Sequence, residues 1–388
     1  MLDRHVFFSE YYEVKPCLMK KSINSGLISW QSIDEALYVG ENYSSGARLH
    51  KDGSYVPDEL YVEPCSEIGA PKRKINKGKF RKIIAEGGSI VFNRMESVSW
   101  RIREINNAIS SYVGEDTCAN GYISFGGEDA LSCHWDTHDV FATQLIGKKL
   151  WKIYGVTQPL PLASNKSINH KNECPATPMM ELILEEGDIL YLPRGWWHSA
   201  HPLPKTDTFH LAVGVHPTMP EHYLSWLMNT VMHDAVSYRQ SIRLNDKKIE
   251  LEGLAHAVSQ AILSNENFSN FVQRRRDSIR VFSDFNIERL AHKKTSSEMA
   301  EIKYRLNSKL IHEHQIQSGT INGVRIPKED SVLWRIVETL SNTTDVLSFT
   351  EIANRLPHLS AEDVISNIEI LATKDVIGTC VDFVLREN

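Results

Sequence analysis

Two periodicities divide the chain. Up to about residue 216, apolar residues fall in short runs that alternate with polar positions and are separated by Gly, Pro, Asn and Asp, as half-buried strands joined by turns do. In GKKLWKIY the alternation sets Lys149, Trp151 and Ile153 on one side and Lys148, Leu150 and Lys152 on the other. In GDILYLPRGWWH, Gly187 and Asp188 turn the chain, Ile189 to Leu192 make a short strand, and Pro193, Arg194 and Gly195 bend it tightly before the aromatics. Such repetition predicts an antiparallel barrel or jelly roll over residues 1–216.

After Pro217 the spacing becomes helical. Leu224, Leu227, Met228, Val231, Met232 and Ala235 recur at intervals of three and four, with Pro220 in a first-turn position. ELEGLAHAVSQAILSN and NFSNFVQRRRDSI extend a helical module over 217–327, whose stripes are equally able to pack against their own domain. From Lys328, SVLWRIVETL, SFTEIANRL and SAEDVISNIEILAT read as three helices and VIGTCVDFVL as a strand, a winged-helix-like order over 328–388. At 388 residues the chain exceeds the size at which one core keeps growing, which agrees with two or three domains.

Charge narrows what these parts do. Residues 328–388 hold five Lys or Arg against eleven Asp or Glu, so phosphate repulsion argues against DNA binding by this domain and for a protein-contacting or structural role. PKRKINKGKFRK crowds Lys72, Arg73, Lys74, Lys77, Lys79, Arg81 and Lys82 into a short stretch, expected as a solvated loop, with docking of an RNA-rich partner as the alternative. The opening MLDRHVFFSEYYEVKP mixes charges through its apolar residues and no run is long enough to span a bilayer, so no membrane association and a cytoplasmic location are expected. Cys17, Cys65, Cys118, Cys133, Cys174 and Cys380 form no CxxC pair and no zinc spacing, which predicts reduced thiols.

Candidate chemistry gathers in HWDTHDVFATQLIGKKLW and GDILYLPRGWWH. Residues two apart on a strand share a face, so His134 and Asp136 are expected to aim together. With His198 from the later bend they make two imidazoles and one carboxylate, a facial set that leaves coordination positions open and suits non-haem Fe(II). His-x-Asp alone is weak, because His50 and Asp52 repeat it, but those lie in LHKDGSY, where Asp52-Gly53 reads as a turn. Lys149, in apolar company, requires an anionic partner if it lies inside a barrel, and a dicarboxylate is one such partner.

HWDTHDVFATQLIGKKLWKIY together with GDILYLPRGWWHSAHP resembles the JmjC oxygenases of the cupin superfamily, specifically their ribosomal oxygenase branch; FFSEYYEVKPCLMK and ARLHKDGSY resemble that branch's opening segments. The resemblance covers most of the chain. It implies a mainly β, double-stranded β-helix catalytic domain, followed by a helical, dimerising module and the winged-helix-like domain. It further implies hydroxylation of an amino-acid side chain, Arg or His, in a ribosomal protein, with Fe(II), 2-oxoglutarate and dioxygen consumed and succinate and carbon dioxide released. His134, Asp136 and His198 carry over as iron ligands and Lys149 as the partner of the far carboxylate of 2-oxoglutarate. CANGYISF resembles the segment lining the cosubstrate and substrate pocket, which points to Asn120 and Tyr122.

Two departures stand out. Gly214 takes a place where relatives often carry a small hydroxyl residue, with His210 a compensating pocket residue on the same parity, and Cys133 directly precedes the first ligand. Three other readings remain: an oxygenase modifying another peptide or a natural-product precursor, a zinc or manganese cupin isomerase or hydrolase, and an inert barrel that displays the terminal domain. Succinate production separates the second from an oxygenase, and the third predicts that replacing Asp136 by alanine changes no phenotype.

Overall fold

The computed structural model describes residues 1–40, 46–126, 132–242, 251–278, 281, 296–300, 302–308, 319–328, 331–343 and 346–380. The chain divides between His216 and Pro217 into two compact units.

The first unit is a double-stranded β-helix. Its strands are β1 (Cys17–Met19), β2 (Ala47–Lys51), β3 (Ser54–Tyr55), β4 (Val62–Glu67), β5 (Ala70–Ile75), β6 (Ser89–Phe92), β7 (Asp116–Phe125), β8 (Asp139–Ile146), β9 (Lys148–Val156), β10 (Met180–Glu185), β11 (Ile189–Leu192), β12 (Trp196–Pro202) and β13 (Asp207–His216). A large sheet runs β1-β11-β8-β13-β7-β6-β2-β3 and a smaller one β10-β9-β12, each pairing antiparallel. The two sheets face one another. Val140, Ala142, Leu190 and Leu192 of the large sheet meet Trp151, Ile153 and Leu184 of the small one in a single apolar cluster.

The large sheet is covered on its other side too, which is why β8 is buried almost throughout instead of alternating. Phe141, Leu145, Phe209 and Val213 pack there with Phe7 and with Ile102, Ile105, Ile109 and Val113 of helix Trp100–Val113. That helix starts where Ser99 Oγ accepts from Ile102 N and stops at Gly114, whose φ of 79° is a left-handed cap. Each of its buried isoleucines contributes about 1.5–3 kcal/mol relative to exposure. The small sheet keeps its alternation: Lys149, Trp151 and Ile153 are buried, whereas Lys148 is exposed and Leu150 and Lys152 are half-buried.

Three expectations change. The basic stretch is not a loop. It forms β5 and helix Lys77–Ala85, capped by Asn76, because Lys72 and Lys74 pair with Glu67, and Lys79 with Glu63, across the hairpin and its flank. The stripe from Leu224 to Ala235 is not one regular helix, since a π turn over Leu227–Val231 shifts the phase; Leu227 and Met232 are buried and Leu224 is left 42% exposed.

The terminal domain also begins earlier than residue 328. Lys303–Leu306 pairs with Ile377–Cys380 and with Leu347–Ser348, and Met299, Tyr304, Ile321 and Ile326 share one core with helices Val332–Ser341, Phe349–Arg355 and Ala361–Thr373. A strand that early was invisible because its partner lies over seventy positions later; residues 381–385 of VIGTCVDFVL lie outside the described residues. Helices Glu252–Leu263 and Asn265–Ser278 form the helical part of this unit. Among the described residues no helix is long and apolar enough to cross a membrane.

Candidate metal centre

His134 and Asp136 do not share a strand, since β8 begins only at Asp139. Two other constraints aim them. His134 N donates to His198 O at 3.1 Å and His198 N to His134 O at 2.8 Å, an isolated antiparallel bridge, while Gly195 N donates to Asp136 O at 3.0 Å. Trp135 between them is 2% exposed and sits edge-on to Trp197, ring centroids 6.2 Å apart, so burial of this indole forces its two neighbours towards the opposite side. A register shift opposite Trp197 and His198, where β12 runs along β9, turns the strand beside the site.

The three side chains converge. His134 Nε2 lies 3.8 Å from Asp136 Oδ1 and His198 Nε2 3.6 Å from Oδ2, and one donor atom from each residue lies within 4.8 Å of the others. Each imidazole uses Nδ1 on a backbone carbonyl, His134 on Ser132 O at 2.8 Å and His198 on Trp196 O at 2.9 Å. A carbonyl only accepts, so both Nδ1 atoms carry a proton and both Nε2 atoms are turned towards the carboxylate. That is a donor set arranged for a cation.

Electrostatics favour the ligand forms. Burial and the neighbouring His134 push His198 down to about 4, against a smaller opposing pull from Asp136, so it is neutral at pH 7. Burial alone would raise Asp136, but His134, His198 and His138 together hold it below the ordinary carboxylate range. Neutral imidazoles and an ionised carboxylate are what metal binding requires.

Tyr122, Val140, Lys149, Trp151, His210 and Ala212 line the same cavity as the triad. Lys149 is 1% exposed, and its Nζ lies 3.5 Å from His210 Nδ1. His210 stacks on Tyr122, centroids 4.9 Å apart and planes 8° from parallel, and meets the edge of Trp151. Burial first, then the Lys149 charge, drives His210 well below the usual imidazole range, which leaves Lys149 as the cation of this wall.

Asn120 stands apart. It shares the parity of Tyr122, but its Oδ1 accepts from Arg94 N at 2.9 Å and holds the left-handed turn there, and it is not among the residues lining the cavity. His50 and Asp52 remain outside the cavity, Asp52 and Gly53 forming the left-handed turn between β2 and β3.

The structure also supplies residues that sequence reasoning passed over. A Cβ on Gly214 would lie 3.0 Å from the His138 ring, so this imidazole fills the space that a larger residue would take. Buried Arg194 donates to Asp139, from N at 2.8 Å and Nη1 at 3.2 Å, and pairs through Nη2 with Glu13 at 2.7 Å, which fastens the bend before His198 to the start of β8. Burial, offset in part by Arg194, pushes Asp139 up to about 6. The chemical signal for that pair was thin: one arginine in a bend and one aspartate at a strand start. A wider cavity of about 740 Å³ lies against helices Trp30–Gly40 and Lys77–Ala85, lined by residues such as Trp30, Phe80 and Phe125, and it holds none of these groups; volume alone does not locate the chemistry.

Comparisons with known proteins cover the segment that carries these residues. Residues 92–223 match the family model described as the JmjC domain. The chain is 30% identical to ribosomal oxygenase 2 of Rattus norvegicus over 221 residues, 54% of this chain and 44% of that protein. It is 28% identical over 215 residues to the bifunctional lysine-specific demethylase and histidyl-hydroxylase NO66 of Aedes aegypti, 54% of this chain and 32% of that protein. The chain thus spans less than half the length of these curated relatives. In fold it is similar to the X-ray structure of E. coli ycfD, TM-score 0.59 at 16% identity, covering 98% of this chain and 99% of that one. It is also similar to YcfD, a ribosomal oxygenase from Escherichia coli, in complex with cobalt and 2-oxoglutarate, TM-score 0.57 at 15% identity, covering 98% of each chain.

Proposed function

We propose that the chain, whose residues 92–223 match the JmjC domain model, is an Fe(II)- and 2-oxoglutarate-dependent hydroxylase of an amino-acid side chain in a ribosomal protein. One observation carries the reading: two imidazoles with Nδ1 fixed by backbone carbonyls turn Nε2 onto a single carboxylate in a cavity that also holds a buried lysine. Two nitrogens and one carboxylate oxygen fit Fe(II) and leave positions open for a chelating cosubstrate and dioxygen. The names of the curated relatives and of the cobalt and 2-oxoglutarate complex support the same choice of chemistry.

In this proposal His134, Asp136 and His198 hold the iron. Bound iron supplies the activation of dioxygen coupled to oxidative decarboxylation of 2-oxoglutarate, which hydroxylates an unactivated carbon. Lys149 binds the far carboxylate through a charge-assisted hydrogen bond. Tyr122 and His210, stacked on one another, flank that end of the cosubstrate, and Trp151 excludes water from the wall they share. Bidentate pairing of Asp139 with Arg194 keeps the His198 bend in register with the Asp136 loop, a positioning role.

The acceptor is a ribosomal protein, with an arginyl or a histidyl side chain as the hydroxylated group; the helices after Pro217 serve as a homodimer contact and the acidic terminal domain touches protein. The test is succinate release together with intact mass of ribosomal proteins from cells with and without the enzyme. The proposal expects one protein to gain a single oxygen only when the enzyme is present. Stoichiometric succinate with an unchanged ribosome moves the acceptor to another peptide, and no succinate refutes the oxygenase assignment.

A further inference from the structure

Cys133 and Cys174 are far apart in sequence yet meet beside the metal centre, with Sγ atoms 2.9 Å apart. Cys133 immediately precedes the ligand His134, and Cys174 caps the 3₁₀ turn Ser167–Glu173 on the long connection between β9 and β10. Both are partly exposed free thiols, within reach of a small oxidant. That connection also rests on the ligand loop elsewhere: Lys171 Nζ donates to Ser132 Oγ at 3.3 Å, and the His170 ring lies 6.1 Å from that of Trp135.

From this juxtaposition we propose that Cys133 and Cys174 are a reversible redox modification site, closed to a disulfide by hydrogen peroxide, which clamps the loop that presents His134. A disulfide needs an S–S distance of about 2.05 Å, so closure shortens the separation by roughly 0.9 Å. His134 itself is held on its other side by two backbone hydrogen bonds to His198, so the adjustment falls on Cys133 and on the connection, not on the ligand.

The chemistry balances without a further reagent. One thiolate attacks a peroxide oxygen, giving a sulfenic acid and hydroxide; the second thiolate attacks that sulfur, forms the S–S bond and expels a second hydroxide. The two thiol protons convert both hydroxides to water, so two thiols and one peroxide give one disulfide and two waters. A dithiol reductant reverses it by exchange.

The experiment treats the full chain, without added metal, with a small excess of hydrogen peroxide. It reads three things: non-reducing peptide mapping, the midpoint of thermal unfolding, and hydrogen exchange over residues 132–138. The expected result is a peptide cross-link joining Cys133 to Cys174, a rise in Tm of about 5–15 °C for a closed loop of this length, and exchange slowed several-fold in that segment. All three reverse with dithiothreitol. Cys65→Ser keeps the response and Cys174→Ser abolishes it; should Cys174→Ser fold poorly, reversal in the wild type carries the test. Separate sulfinic acids, thiols that remain alkylable, or a cross-link that leaves either Tm or exchange unchanged overturns the proposal.

Discussion

Replacing Lys149 by methionine removes a charge and keeps the length and apolar stem of the side chain, so packing against Trp151 changes little. Lys149 is 1% exposed, so any carboxylate that meets its ammonium is screened very little by water. Removing one partner of a buried pair costs about 3–5 kcal/mol, which corresponds to a Kd for 2-oxoglutarate weakened roughly 10²- to 10⁴-fold. His210 does not take over as the cation, because burial, the larger cause of its lowered pKa, remains when the Lys149 charge is gone. The assay is anaerobic titration of the cobalt-loaded protein with 2-oxoglutarate, read by tryptophan fluorescence from Trp151 and Trp135. Metal affinity, measured separately, stays within a factor of about three, since Lys149 is not among the three clustered donors. A Lys149→Met protein that binds metal and binds 2-oxoglutarate as tightly as wild type refutes the reasoning.

Further outcomes follow from the supporting contacts. Arg194→Met strands Asp139 and Glu13 and lowers Tm by roughly 6–20 °C at pH 8. The loss is smaller at pH 5, because the Asp139 folded pKa of about 6 lies above its unfolded value: its protonated form is favoured in the fold, and its contribution to stability falls as pH rises from about 4 through 6. An equal loss at both pH values contradicts the assignment, and parallel thermal melts decide. Gly214→Ser drives its Cβ against His138 and weakens metal binding in a cobalt titration, whereas the double variant with His138→Ala recovers it; a single variant indistinguishable from wild type shows that the ring yields freely. Asp136→Ala abolishes succinate production while leaving the Tm of the metal-free protein within a few degrees, checked by differential scanning calorimetry.

Much of the site was legible because its chemistry is dense in the sequence. Alternation alone placed Lys149, Trp151 and Ile153 on one face, and they are buried together. Strand parity with the later bend, and then the resemblance, drew His134, Asp136 and His198 together, and they cluster, but strand parity is not the physical cause; a bridge to His198 and the buried Trp135 are. Asn120 shows the limit of parity: its side chain satisfies Arg94 N instead of facing the cavity, a long-range hydrogen bond that spacing cannot reveal. Strand Lys303–Leu306 and the Asp139–Arg194 pair were missed for the same reason, since each exists only through a partner far along the chain. The meeting of Cys133 with Cys174, across two strands and a long connection, is equally silent in the sequence.

The account stands most directly on anaerobic titration of the metal-free protein with Fe(II) in the presence of 2-oxoglutarate. It predicts a weak visible charge-transfer band that saturates at a single iron per chain and disappears in Asp136→Ala. No band in the wild type, or the same band in the variant, contradicts it.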